Sequence, residues 1–352
     1  AVLKFREKNE LNAKDILMQI PQNEISVHRR VSLLKTKAQV FQSIGEYQGA
    51  YKMFDSMNKL AVQISDFPME NAERYFYKIK KDRDILVELE STATVIDENS
   101  DTSYPATFII GFPRSGTTLL DVILSSHSKI ITIEEKPILQ SVIKQLDQDS
   151  IEEIEGWSTL ERSQAQNCYS KEIKKYVEIS SSSMIIDKLP LNILNLPFIH
   201  NIFPSGKIIL AIRHPFDAIL SSWMQNFSLN SAMANFTELK RTVQFYCISM
   251  EIFDLCEKRY DLDVHILKYE NLLDNFELET KKMLSFLGLD WEDSIKNFNV
   301  TAQRRDKIST PSYSQVVQPI YKNASQRWRN YNQQLKPYFK DIAPWIEKYG
   351  YA

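Results

Sequence analysis

The sequence predicts an α/β protein built on a parallel sheet and preceded by an all-helical region, and three observations carry that expectation. Residues 11–96 contain only two glycines, Gly45 and Gly49, and their apolar residues recur at spacings of three and four, the period of consecutive amphipathic helices. The stretch Asp97-Glu98-Asn99-Ser100-Asp101-Thr102-Ser103, closed by Pro105, breaks that period with turn-forming residues. Beyond it, short apolar runs alternate with helical patterns, the texture of strands that pair in parallel through helical crossovers.

These observations place a domain boundary after residue 98, giving a helical domain over 1–98 and a sheet-bearing domain over 99–352. Strands are expected at Thr107–Ile110, Met184–Ile186, Lys207–Ile212 and Val264–Leu267, each a short β-branched or apolar run. In the helical part, Ala38, Phe41, Gly45, Tyr47, Ala50 and Phe54 follow the small and aromatic spacing of one tetratricopeptide (TPR) helical hairpin. Any antiparallel helix pair would also satisfy that spacing.

Composition bounds the functional classes. With 43% apolar and 25% charged residues in 352, the chain belongs among globular proteins. A formal charge of −2 excludes a generally basic, nucleic-acid-coating protein, so an anionic ligand must be met by a local cluster of cations. Cys168, Cys247 and Cys256 are odd in number and lack CxxC spacing, which argues against a disulfide framework or a zinc site; they are read as buried thiols. No apolar run approaches the roughly 20 residues of a membrane span, and the first residues are charged rather than signal-like. The default compartment is therefore cytoplasmic, although the absent initiator Met leaves room for a targeting segment removed from a longer chain. Asn-x-Ser/Thr sites begin at Asn226, Asn235, Asn299 and Asn323, and a chain this rich in those residues yields several by chance.

The chemistry concentrates in Gly111-Phe112-Pro113-Arg114-Ser115-Gly116-Thr117-Thr118. This run follows an expected strand and leads into the helical pattern Leu119–Leu124, the setting in which backbone N–H groups and a helix N-terminus converge on an anion. The spacing nearly matches a nucleotide phosphate loop, but Thr117 stands where an NTPase places its lysine. Arg114 and Ser115 lie inside the loop instead.

The segment Gly111–Leu120 resembles the donor-binding loop of the sulfotransferases, which carry 3′-phosphoadenosine-5′-phosphosulfate (PAPS). Pro-Arg-Ser-Gly-Thr-Thr, followed by Ser126-His127 and Glu134-Glu135, is similar to the tyrosylprotein sulfotransferases and the TPR-linked bacterial group. The resemblance implies a P-loop-like parallel-sheet domain that moves a sulfuryl group from PAPS to an acceptor hydroxyl and leaves 3′,5′-ADP. It assigns Arg114, Ser115, Gly116, Thr117 and Thr118 to the donor, Glu135 to the base position, and Lys188, in Asp187-Lys188-Leu189-Pro190, to the leaving group. Glu134 is expected to raise the pKa of Glu135 as a neighbouring like charge. His127 is assigned to a structural turn.

The same resemblance assigns Arg213 and Ser221, within Ile212–Trp223, to the 3′-phosphate, Tyr269 to the adenine end, and Ser312 and Arg327 to further donor contacts. Asp217 reads as a helix-start residue, because a carboxylate beside a phosphate would repel it, and His214 acquires no role. Arg304, Arg305 and Lys307 read as a solvated face rather than an acceptor site. The expected mechanism is direct in-line transfer without a metal or a covalent intermediate. The acceptor is a hydroxyl on a peptidyl tyrosine, a saccharide or a small phenol, a protein acceptor being favoured. Two other readings compete: a Mg-dependent nucleotide phosphotransferase or NTPase on a similar loop, and a non-catalytic helical-repeat scaffold.

Overall fold

Five short runs rich in isoleucine pair in parallel: β1 (Thr107–Gly111), β2 (Ile130–Glu134), β3 (Met184–Lys188), β4 (Lys207–Ile212) and β5 (Asp263–Lys268). The β-branched side chains that favour strands also fill the sheet, and Ile109, Ile186 and Ile209 are fully buried. In this computed structural model, which describes residues 10–21, 25–89, 106–178, 183–304 and 326–351, the strand order is β2-β3-β1-β4-β5. Thr107 pairs with Ile186 on one side and Lys207 on the other, Glu134 lies opposite Lys188, and Ile212 lies opposite Lys268.

Because the chain fills one side of β1 with β2 and β3 and the other with β4 and β5, β1 marks the reversal of strand order. Open α/β sheets bind their ligands at such a point, outside the carboxyl ends of the strands. The four expected strands are present. Two differences matter for function: β3 runs on through Asp187 and Lys188, and β2 was not expected at all. Glu134 is the last residue of this edge strand and Glu135 the first beyond it.

The helices include, in chain order, α1 (Glu10–Gln19), α2 (Val27–Ser43), α3 (Tyr47–Gln63), α4 (Met69–Leu89), α5 (Thr117–Leu124), α6 (Ile138–Leu146) and α7 (Thr159–Ile173). They continue with α8 (Leu196–Ile202), α9 (Pro215–Trp223), α10 (Leu239–Arg259), α11 (Phe276–Leu287) and α12 (Phe339–Lys348). Among the described residues, no helix is long and apolar enough to cross a membrane.

The chain divides into two compact units. A helical unit takes the described residues within 1–78, 214–247 and 326–352, and a sheet-bearing unit those within 79–213 and 248–325. The boundary at 98/99 lies outside the described residues. In the helical unit, α2 and α3 form the expected hairpin. Gly45 ends α2 at φ +82°, with the Gly45 N–H donating to the Gln42 carbonyl and the Glu46 N–H to that of Phe41, the paired bonds of a Schellman cap. Gly49 lets the Phe41 ring pack within 3.1 Å of where a Cβ would stand.

The hairpin is tied to two later stretches of the same unit. Asn58 donates to the Trp223 carbonyl at 2.9 Å and Tyr51 stacks on the Trp223 ring, while Gln42 donates to the Tyr331 hydroxyl at 2.9 Å. One cysteine expectation fails. Cys256 is buried, but Cys168 and Cys247 are half-exposed on helix flanks.

Replacing Gly45 with Ala tests the cap. A Cβ there meets nothing within 4 Å, so the effect is backbone strain alone. Denaturant unfolding should show a loss of about 1 kcal/mol for G45A, with G45N milder because Asn tolerates the left-handed region.

Candidate active site

Each strand of the sheet delivers a site residue at its carboxyl end. β1 runs into the loop at Gly111, β2 ends at Glu134 with Glu135 next, and β3 ends at Lys188. Arg213 directly follows β4 and Tyr269 directly follows β5. Nine of the twelve site residues read from sequence are described in or beside the sheet-bearing unit's loops; Ser221 and Arg327 belong to the helical unit, and Ser312 lies outside the described residues.

The loop is held by its own chemistry. Gly116, at φ +98°, caps α5, and a Cβ there would stand 2.6 Å from Cδ2 of Tyr269, so glycine is required both by the backbone angle and by the ring. Gly116 and Thr117 begin α5, where the first-turn amides have no carbonyl one turn earlier to bond. Ser115, Thr117 and Thr118 are buried. Arg213 donates from Nη1 to the Arg114 carbonyl at 3.2 Å, and its guanidinium lies 5.0 Å from the Tyr269 ring centroid, a cation–π distance. Arg213 and Tyr269 therefore both brace the loop. A set of first-turn amides, three hydroxyls and two guanidinium groups suits an anionic ligand.

Beside the loop, the Lys188 ammonium has no solvent exposure and sits between two carboxylates, 2.9 Å from Glu135 Oε1 and 3.3 Å from Glu134 Oε1. The pairing follows from the sheet: Glu134 lies opposite Lys188 in register, and the Glu135 N–H donates to the Lys188 carbonyl at 2.8 Å. A buried ammonium is tolerated only with such compensation. The two glutamates differ. Burial holds the Glu134 carboxyl above the ordinary carboxylate range, with the charges of Asp121 and Glu135 adding to it and Lys188 opposing. Glu134 is the deeper of the two side chains, 13% exposed against 35% for Glu135.

Strain marks the same places. Among the described residues four non-glycines have positive φ, and three of them, Arg114, Glu135 and Gln326, either are candidate site residues or adjoin one. Left-handed backbone at non-glycine positions persists where the surroundings over-determine it, commonly at functional sites. His127 is engaged by the turn that follows α5. Its Nδ1 accepts from the Lys129 N–H at 3.1 Å, which leaves Nε2 to donate to the Asp290 carbonyl at 3.0 Å.

Sequence reasoning missed Asp121 and Tyr169. Asp121 is fully buried on α5 and acts on Glu134; only its place one turn after Thr117 could have signalled it. Tyr169 donates from its hydroxyl to Asp187 Oδ2 at 2.9 Å, a contact between elements that no spacing reveals.

Burial pushes the Asp187 carboxyl up to about 7, against the opposing effects of the Tyr169 hydroxyl and Lys188. A carboxyl raised in the folded state contributes stability that is full below the ordinary carboxylate range and is lost as the pH rises through about 7. Thermal midpoints of the protein should therefore fall between pH 5 and about pH 8 more steeply than those of D187N, which cannot ionise there. Parallel curves for the two proteins would refute the assignment.

The chain is similar in sequence to known proteins. A protein-tyrosine sulfotransferase A of Caenorhabditis elegans is 23% identical over 275 residues, which cover 74% of this chain and 70% of that one. An uncharacterized protein of Aquifex aeolicus is 29% identical over 262 residues, 69% of this chain, and the match spans about a third (34%) of that protein's length. Among solved structures, the sulfotransferase domain from the Synechococcus PCC 7002 olefin synthase is 20% identical and covers 65% of this chain and 89% of that one, with a TM-score of 0.44. Residues 105–293, more than half of the chain and the span that holds the loop, both glutamates, Lys188, Arg213 and Tyr269, match the family model for sulfotransferases, and the chain belongs to the sulfotransferase family.

Proposed function

We propose that this protein transfers a sulfuryl group from PAPS to an acceptor hydroxyl, with Glu135 as the general base. The observation that carries the reading is the Lys188–Glu135 ion pair of 2.9 Å at the carboxyl ends of β2 and β3, in the same sheet whose β1 feeds the anion-suited loop. Bound PAPS would supply a sulfuryl group on a phosphate leaving group. Arg114, the hydroxyls of Ser115, Thr117 and Thr118, and the amides of Gly116 and Thr117 would hold it, with Arg213 and Tyr269 bracing that loop. The family resemblance adds Ser221, Arg327 and Ser312.

Glu135 is suited to take the acceptor proton at Oε1 because it is the more exposed of the two glutamates and lies on the first residue past the sheet edge. Lys188 serves two purposes. Its ammonium keeps Glu135 oriented, and it supplies the positive charge that stabilises negative charge developing in its neighbourhood. Burial of Lys188 strengthens that effect, since a fixed charge in a dry site does not have to reorient when the reaction occurs. Glu134, held above the ordinary carboxylate range, supplies part of the counter-charge that keeps Lys188 in place.

Peptidyl tyrosine is the acceptor to try first, because several relatives bear the name protein-tyrosine sulfotransferase. The hairpin α2–α3 is read as one TPR-type repeat on its small and aromatic spacing. Its bonds to Trp223 and Tyr331 support a role in bracing the helical unit.

Transfer of labelled sulfate from PAPS to tyrosine peptides, saccharides and phenols tests the function directly. In the protein, E135Q should lower turnover by about 100-fold or more with little change in 3′,5′-ADP affinity, and E134Q by much less. Full turnover in E135Q would remove the base assignment. Tighter binding of Mg-ATP than of 3′,5′-ADP would replace sulfuryl transfer with phosphotransfer.

A further inference from the structure

Asp217 lies in the first turn of α9, where Pro215 and an acidic side chain both favour a helix start. Its carboxylate does something a helix start does not require. Oδ2 accepts from the N–H of Gln326 at 2.7 Å and Oδ1 from the N–H of Trp328 at 2.9 Å, from chain 109 and 111 residues away. The carboxylate is fully buried, and its two oxygens straddle Arg327. Gln326 adopts the left-handed region at φ +61°, and the Trp328 ring stacks on His214, the residue before α9, at 4.7 Å between centroids and 15° between planes. The polar fork and the ring stack together fix the backbone on both sides of Arg327.

The consequence follows from helix geometry. Ser221 is four residues after Asp217, so the two share one face of α9, a turn apart. The clamp thus holds the Arg327 segment on the face of the helix that carries Ser221. We propose that Asp217 is a positioning residue that sets Arg327 against the Ser221 face, so that a guanidinium and a hydroxyl together select the donor's 3′-phosphate; this rests on the PAPS reading above. The repulsion a carboxylate exerts on phosphate is reduced here, because both oxygens of Asp217 accept backbone N–H bonds whose positive ends offset part of its charge. His214, without a role in the sequence reading, becomes the second half of the same device.

Calorimetric titration of the whole protein with 3′,5′-ADP and with 5′-AMP, which lacks the 3′-phosphate, tests the proposal. D217N keeps the shape but turns an amide N–H toward a backbone N–H. In D217N the preference for 3′,5′-ADP over 5′-AMP should fall roughly tenfold or more, while 5′-AMP affinity stays near the wild-type value. R327A should lose the same preference, and D217N combined with R327A should be no worse than R327A alone, because the first residue acts through the second. D217E, which keeps the charge but displaces it, carries the same expectations should D217N prove too unstable to titrate. Equal losses for both nucleotides, an unchanged preference or additive losses in the double variant would overturn the proposal. A wild-type protein that does not discriminate the two nucleotides would overturn the PAPS reading, and this inference with it.

Discussion

A lysine side chain with no solvent exposure cannot stand alone, and the site is arranged around that constraint. Lys188 is carried to the carboxyl edge of the sheet by the isoleucines of β3, and burial of its ammonium obliges the neighbouring strand to bring negative charge. Parallel register does this without any special loop: Glu134 is paired with Lys188 as part of the ladder, and Glu135 is returned to the lysine by its own N–H bond to the Lys188 carbonyl. The price is paid in backbone geometry, since Glu135 takes a positive φ to bring its carboxylate to Oε1 contact. Two acids of adjacent sequence then acquire different character. Glu134 is the more deeply buried partner in the ion cluster, and Glu135 is the more exposed one.

How much of this could be read beforehand depends on whether the information was local. The strand-to-helix setting of the loop Gly111–Thr118 was legible because its signals are contiguous: an apolar run, two glycines and a run of hydroxyls leading into a helical pattern. Strands β1, β3, β4 and β5 were legible for the same reason. β2 was missed although Ile130-Ile131-Thr132-Ile133 is β-branched throughout, because the run is only four residues long before the glutamates that follow it. The upward push on the Glu134 carboxyl was not legible. It depends on which side chain points under the sheet edge and on Asp121, thirteen residues earlier, and neither depth nor that neighbour can be read from two adjacent letters. The helical assignment of the first described residues was correct in kind, whereas the tie from Asn58 to Trp223, and from Gln42 to Tyr331, is purely tertiary.

Asp217 shows the same limit from the other side. Its spacing from Pro215 is that of a helix-start residue, and the electrostatic argument against a carboxylate near phosphate is sound when the carboxylate is free. What local reasoning lacked was the second partner, a backbone stretch more than a hundred residues on, whose N–H groups convert the acid from a repelling charge into a bracket. Polar residues inside a fold are therefore poorly classified by sequence neighbours alone. Their meaning is decided by who supplies the complementary donor or acceptor.

On the proposed function, the position of the cation accounts for a loop without the lysine of an NTPase. In this chain Thr117 occupies that place, and the ammonium comes instead from β3, whose Lys188 is paired in register with Ile109 of β1, two residues before Gly111. A lysine on the loop approaches its ligand as a flexible arm and brings no partner of its own. A lysine fixed in the ladder arrives with its orientation set by the sheet and with Glu135 already bonded to it. In the proposed reaction, charge stabilisation and proton removal would be built from one ion pair, so that any change in the register of β2 against β3 would displace both together. A transfer reaction that needs an acceptor deprotonated as negative charge builds on a neighbouring group is served by that coupling, and a reaction whose nucleophile is activated elsewhere is not.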